Sequence, residues 1–359
     1  MRIVFMGTPD FSVPTLESLV GSRHQVVAVV TQPDKPKGRG REIQMSPVKE
    51  VALRHRIPVF QPVRARDGAF IAQMRELAPD VMVVVAFGQI LSEELLQVPV
   101  YGCMNIHASL LPKYRGAAPI QWAVINGDDR TGITIQMMDA GVDTGDVVAM
   151  QEVKLDGTET GGSLFDRLSR LGGDLILSAL ERLEKGTLVR TPQDHAQATH
   201  VKKISKEFGN IDWTRDAAAI ERLVRGLNPW PSAYTYYQGK MLKIWESQVL
   251  EEKTEDGQPA RPEAGEPAAG RARAVEAVAG MVRAGEPAAG TARAGTPGAA
   301  GRGVCGEVLE ASGDSLLVGT GQGILKICSL QLEGKKRMDT AAFLRGFQVE
   351  PGSVLTQTR

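Results

Sequence analysis

Short, unbroken apolar runs alternate with amphipathic stretches in the first part of the chain, and this alternation limits the fold more than any other feature. Arg2–Met6 (RIVFM), Gln25–Thr31 (QVVAVVT) and Asp80–Gly88 (DVMVVVAFG) are rich in Val and Ile and carry no polar alternation. Strands buried on both faces, as in a helix-covered parallel sheet, read this way. Ser12–Leu19, Pro47–Arg54 and Gly68–Leu77 lie between them with helical periodicity. The alternation predicts a doubly wound, mainly parallel α/β sheet. Cys103–Ala108 (CMNIHA) extends it by a strand, and a helix follows near Pro119–Asn126. "TGITIQMMD" and "GDVVAMQEV" predict two more strands joined through "AGVDT". A long amphipathic helix over Gly162–Leu183 closes an N-terminal domain, placed at residues 1–184.

The texture then changes. A connector over 185–206 carries the basic cluster "HVKKISK", and one further helix stops at Asn228-Pro229. Beyond it, "AYTYYQGKMLKIWES" predicts a hairpin turning at Gln238-Gly239, and short strands recur between Gly and Asp turns up to residue 334. That spacing predicts a small OB-like β-barrel as the C-terminal domain, 207–359. Glu251–Gly303 interrupts it with the near-repeats "AGEPAAGRARA" and "AGEPAAGTARA". From Gln258 to Gly303 there is no aromatic residue, Leu or Ile, so this segment cannot bury enough apolar surface to offset its ordering entropy. It reads as a disordered insertion in a barrel hairpin, a neutral linker. Two copies without a burial face do not make a solenoid.

Charge excludes a globally basic nucleic-acid binder: 42 basic residues balance 42 acidic ones. Any such contact must be a local patch. Cys103, Cys305 and Cys328 have no metal-like spacing, and an odd, sparse set argues against a disulfide framework. The apolar run at the N-terminus is too short for a signal peptide, and no run of about 18 apolar residues is present for a membrane span. The expectation is a cytoplasmic monomer without a metal.

The candidate chemistry gathers around "NIHASLLPKYRGAAP". Asn105 and His107 are two apart, so on a strand they share a face, and breakers follow at Pro112, Gly116 and Pro119. Strand carboxyl ends are where α/β sheets bind ligands. Asp143, in the glycine-flanked loop "MDAGVDTGD", can reach the same end. An amide and an imidazole can stabilise an oxyanion while a carboxylate orients the ring and accepts a proton, which makes an acyl-transfer set. A nucleophile within the chain is not evident: Cys103 reads as core, and Ser109 lacks a G-x-S-x-G elbow. The turn in "FMGTPDF" lacks the G-x-G-x-x-G fingerprint, which counts against a dinucleotide-dependent dehydrogenase.

With those residues in view, "NIHASLLPKYRGAAPIQWAVINGDDRTGITIQMMDAGVDTGDVV" resembles the folate-dependent formyltransferase family. "FMGTPDFSVPTLESL", "VVTQPDKPKGRG", "SPVK" and "LNPWPSAYT" resemble the branch of it that acts on methionyl-tRNA. The resemblance spans Met1–Gln248 and Val304–Val354. It implies formyl transfer from 10-formyltetrahydrofolate to the amino group of methionine on initiator tRNA, with Asn105, His107 and Asp143 as the catalytic residues. It places Ser109, Leu110, Leu111 and Pro112 on the folate-contacting loop, with Phe87, Gly88 and the Asp139–Thr144 loop facing the pterin through backbone. For tRNA it points to Lys35, Lys37, Arg39 and Arg41 in Thr31–Met45, with Lys202, Lys203 and Lys206 as a second phosphate patch. The alternatives are a formyltransferase acting on a small ribosyl or sugar amine, and a catalytically inactive RNA-binding module.

Overall fold

The computed structural model describes residues 1–37, 42–250 and 304–359. The N-terminal part opens with β1 (Arg2–Gly7), α1 (Val13–Val20), β2 (Gln25–Val30), β3 (Lys35–Lys37), β4 (Glu42–Gln44), α2 (Pro47–Arg54) and β5 (Val59–Phe60). It continues with α3 (Gly68–Glu76), β6 (Val81–Val85), α4 (Glu93–Leu96), β7 (Cys103–His107), β8 (Arg115–Gly116) and α5 (Pro119–Asn126). β9 (Arg130–Met137), β10 (Val147–Lys154), α6 (Gly161–Glu184) and β11 (His200–Val201) complete it. Among the described residues seven of these strands form one sheet in the order β10-β9-β7-β6-β1-β2-β5. The strands from β5 to β7 run parallel, while β9 and β10 are antiparallel additions. The chain travels outward from β1 to β5 and returns on the other side of β1 as β6, which leaves a crevice at the strand carboxyl ends.

Side-chain alternation divides the sheet between two cores. Ile3, Phe5, Val83 and Ile106 pack on one face beneath Leu16, Leu168 and Ile176 of α1 and α6. Val4, Met6, Met82 and Cys103 pack on the other beneath Phe70 and Met74 of α3. Burying each such Val, Leu, Ile or Phe contributes about 1.5–3 kcal/mol. Apolar burial on this second face stops along β7 at Cys103. Asn105 lies opposite Gln136 of β9, and His107 lies opposite Thr134. Directly opposed residues of antiparallel strands share a face, so four polar side chains meet where the apolar cover ends.

The C-terminal part contains α7 (Ala217–Gly226), β12 (Ala233–Tyr237), β13 (Lys240–Leu250), β14 (Val308–Ser312), β15 (Ser315–Gly319), β16 (Ile324–Leu332), β17 (Met338–Asp339) and α8 (Thr340–Gly346). Its strand order is β12-β13-β16-β15-β14, with β17 beside β16. β12 and β13 turn at Gln238 (φ 47°) and Gly239 (φ 73°), the left-handed pair that a two-residue hairpin requires. The tail closes the arrangement. Val308 N donates to Ser353 O at 2.8 Å and Leu355 N to Gly306 O at 2.8 Å, while Tyr236 and Thr356 exchange two bonds of 2.9 Å. Residues 353–356 therefore join the two ends of the strand order. Ile220, Leu223, Ile244, Val318, Leu325 and Ile327 fill the interior.

Three features differ from the sequence reading. Thr31–Met45 contains a short hairpin, β3 with β4, where only a loop was expected. The connector contributes β11, which pairs in parallel with β8 of the "YRG" segment. α8 lies where only β texture was read; Asp339 caps it by accepting from Ala342 N at 2.6 Å. The predicted insertion, Glu251–Gly303, lies outside the described residues.

Candidate active site

Asp143 is the centre of the polar cluster. Its backbone is left-handed (φ 54°), a conformation that costs a non-glycine residue about 1–3 kcal/mol and tends to gather at functional sites. Its carboxylate is densely used: Oδ2 accepts from Gly116 N at 2.8 Å, and Oδ1 from Gln136 Nε2 at 2.9 Å and Asn105 Nδ2 at 3.4 Å. His107 Nδ1 lies 3.6 Å from Oδ2. The three residues expected to converge thus do so, with the Asp143 side chain 15% exposed and that of His107 8%.

His107 differs in one respect from the expectation that both donors aim at one carbonyl oxygen. Its Nε2 lies 2.9 Å from Tyr114 O, so that nitrogen donates to the main chain. The ring stands between two acceptors, a carbonyl at Nε2 and a carboxylate at Nδ1. Asn105, whose contact with Asp143 is long, keeps an amide N–H in hand for a ligand. The loop that brings Tyr114 here is itself left-handed at Tyr114 (φ 61°), Gly116 (φ 98°) and Ala118 (φ 63°). Burial pushes the Tyr114 phenol above its ordinary value, partly offset by Asn126 Nδ2, which donates to the hydroxyl at 2.8 Å.

The expected folate residues divide. Ser109 is fully buried, and its Oγ donates to Lys113 O at 2.6 Å. Leu111 is 4% exposed, and its N donates to Thr134 Oγ1 at 3.1 Å. The Ser109 side chain and the Leu111 main chain hold the loop together, while Leu110 and Pro112 are half-buried beside them. The Phe87 ring is 2% exposed and belongs to the core; its carbonyl accepts from Thr8 Oγ1 at 3.0 Å and Gln32 Nε2 at 3.2 Å. Gly88 is exposed with φ 84°. Cys103 is core as expected, and burial pushes its thiol up to about 12.

Of the expected tRNA residues, Lys35, Lys202, Lys203 and Lys206 are exposed, and Lys37 lies on β3. Arg39 and Arg41 lie outside the described residues. Among the described residues, no group of three or more His, Cys, Asp or Glu side chains is placed to hold a metal ion, and no helix is long and apolar enough to cross a membrane.

Sequence reasoning missed Gln136, Gly116 and Gln193 as partners of the Asp143 loop. The signal for Gln136 was present: Thr134 and Gln136 interrupt an apolar strand at a spacing of two, as Asn105 and His107 do. Gln193 comes from the connector and has no local signature.

Comparison with known proteins agrees with this geometry. The formyl transferase family matches residues 1–180, and the formyl transferase C-terminal domain matches residues 203–348. The methionyl-tRNA formyltransferase of Agathobacter rectalis is 49% identical over 99% of this chain and 100% of its own length. That of Clostridioides difficile is 42% identical over 99% of this chain and 100% of its own length. Among solved structures, HypX from Aquifex aeolicus in complex with tetrahydrofolic acid superposes with a TM-score of 0.56 at 17% identity, over 99% of this chain and 50% of that one. At that identity the likeness shows the fold alone. The family match over both halves, with full-length relatives of this similarity, shows that the chain belongs to the formyl transferase family and, within it, to the methionyl-tRNA formyltransferases.

Proposed function

We propose that this chain transfers the formyl group of 10-formyltetrahydrofolate to the α-amine of methionine on initiator tRNA. The single observation that carries the chemistry is the convergence of Asn105 and His107 on Asp143, at 3.4 and 3.6 Å, beside the carboxyl end of β7. The full-length methionyl-tRNA formyltransferase relatives support the choice of acceptor.

The amine brings its own lone pair, since an α-amino group has a reference pKa near 8. Its nitrogen attacks the formyl carbon, and the carbonyl oxygen becomes an oxyanion that Asn105 Nδ2–H stabilises. Collapse breaks the bond from the formyl carbon to the folate nitrogen. The attacking nitrogen loses one proton and the departing nitrogen gains one. Asp143 and His107 hold that proton in transit. His107 is suited to this because each ring nitrogen faces an acceptor, so the ring with both nitrogens protonated satisfies Tyr114 O and Asp143 together.

Residues 1–184 are proposed as the catalytic domain, 185–206 as the connector and 207–359 as the barrel domain. The backbone of the Ser109–Pro112 loop, with Gly88, is proposed to line the folate site. Lys35, Lys37, Arg39 and Arg41 and the exposed Lys202, Lys203 and Lys206 are proposed to meet tRNA phosphates. A monomer is the proposed state, and the cytoplasm is the proposed compartment. The test is formylation of methionyl-tRNA with 10-formyltetrahydrofolate as donor, run against a small ribosyl or sugar amine. No formylation, or preference for the small amine, rejects this assignment.

A further inference from the structure

Arg115 is 3% exposed, yet its side chain meets neutral acceptors. Nε and Nη2 donate to Gln193 Oε1 at 3.1 and 2.7 Å, and Nη1 and Nη2 each lie 3.2 Å from His195 Nδ1. A cation this buried is costly unless its donors are satisfied. Gln193, 7% exposed, is the group that satisfies it most closely. The other end of the same amide faces the Asp143 loop. Nε2 donates to Gly145 O at 2.7 Å and Asp143 O at 3.0 Å, and lies 3.5 Å from Gln136 Oε1, whose own Nε2 holds Asp143 Oδ1. The amide orientation is unambiguous: guanidinium donors face its oxygen, and carbonyls face its nitrogen.

We propose that Gln193 is a positioning residue for the transfer reaction, tying the Asp143 loop to the buried Arg115 guanidinium; this rests on the function proposed above. Two donors on Oε1 polarise the amide and strengthen the donation from Nε2. The loop is thereby pinned at Asp143 and just after it, by the Asp143 carbonyl and by that of Gly145, while the carboxylate keeps its hydrogen bonds from Gln136 and Gly116. Arg115 precedes Gly116 directly, so the same clamp fixes the main chain that donates to Asp143. A connector residue thus completes a site whose other members come from the sheet and the loops at its edge.

Gln193→Glu tests this. It keeps an acceptor for Arg115 and turns a carboxylate oxygen toward two carbonyls. The expected result is a folded protein with near wild-type Tm, kcat down about 10- to 100-fold, and unchanged KM for both substrates. In an Asp143→Asn background the substitution adds no further loss. Hydrogen exchange across residues 138–146 speeds about tenfold or more, while the barrel is unaffected. If Gln193→Glu does not fold, Gln193→Met, similar in size and without the amide, carries the same expectations for kcat, KM and exchange, with a lowered Tm because Arg115 and the two loop carbonyls lose their partner. Unchanged kcat with unchanged exchange overturns the proposal, as does a loss confined to KM or one that adds in full to that of Asp143→Asn. The exchange measurement needs no turnover. A wild type that fails to formylate therefore counts against the assigned function, while the exchange result still decides whether Gln193 holds the loop.

Discussion

Gly116→Ala puts the contact between the connector and the catalytic loop under direct strain. Gly116 has φ 98°, and a Cβ there falls 2.6 Å from the backbone oxygen of Val201. The backbone conformation alone costs an alanine about 1–3 kcal/mol. The clash must then be relieved in one of two ways. If β11 withdraws, the bonds from Arg115 N to Thr199 O (2.8 Å) and Ala117 N to Val201 O (3.2 Å) weaken, at about 0.5–1.5 kcal/mol each. If the Gly116 peptide turns instead, its 2.8 Å hydrogen bond to Asp143 Oδ2 is lost. A hydrogen bond to a charged group is worth about 1.5–3 kcal/mol. Spent in the transition state, that is a loss of about 10- to 150-fold in kcat. The assay is single-turnover formylation at saturating substrates, with thermal unfolding alongside. Gly157→Ala is the control: φ there is 86° and nothing lies within 4 Å of the added Cβ. It carries the backbone cost without the clash, and a Tm drop of about 2–12 °C with normal kcat is expected. Wild-type kcat in Gly116→Ala, with a Tm no lower than that of the control, refutes the reasoning.

Other outcomes follow from the same structure. Asp143→Asn and His107→Ala each lower kcat at least about 100-fold while folate binding is kept; near-normal turnover in both removes the catalytic assignment. Burial holds the His24 imidazole below its ordinary value of 6.5, with Glu184 acting in the opposite direction. Its neutral form is therefore the one the fold favours, so its stabilising contribution is complete above pH 6.5 and declines as pH falls through that value and the lower folded one. Denaturant unfolding of His24→Gln should show a shallower acid decline than wild type between pH 7.5 and 5, and a steeper one contradicts the assignment. Cys103, with its thiol near 12, should resist alkylation at pH 8 until the protein unfolds, while the half-buried Cys305 reacts first. Replacing Lys202, Lys203 and Lys206 together by alanine should reduce the slope of log tRNA affinity against log salt by about 2–3; an unchanged slope places the phosphate contacts elsewhere.

Much of this was legible where one element reports its own environment. The apolar runs of β1, β2 and β6 have no polar face because helices cover both sides, and α2 begins at Pro47 as its sequence indicates, capped by Ser46. Asn105 and His107 were legible because their side chains break a buried alternation. What could not be read was decided by distant partners. Gln193 is polar in a polar connector, and only the fold shows that Arg115 and the Asp143 loop close around it. The Ser109 hydroxyl donates to the carbonyl four residues on, a turn contact that the sequence does not announce. His107 Nε2 belongs to Tyr114 O through a left-handed loop that no periodicity announces.

The stitch made by residues 353–356 sets an order of events during synthesis. The seven-stranded sheet has all its strands once residue 154 has emerged, and its clamp once Gln193 and β11 follow. The barrel must wait for Thr356 to reach back to Tyr236 before its first and last strands are joined. On the ribosome the N-terminal half can therefore be assembled while β12, already paired with β13, still lacks its second neighbour. A nascent chain stalled before residue 353 should present a formed sheet and an open barrel edge to any chaperone that recognises unpaired strands.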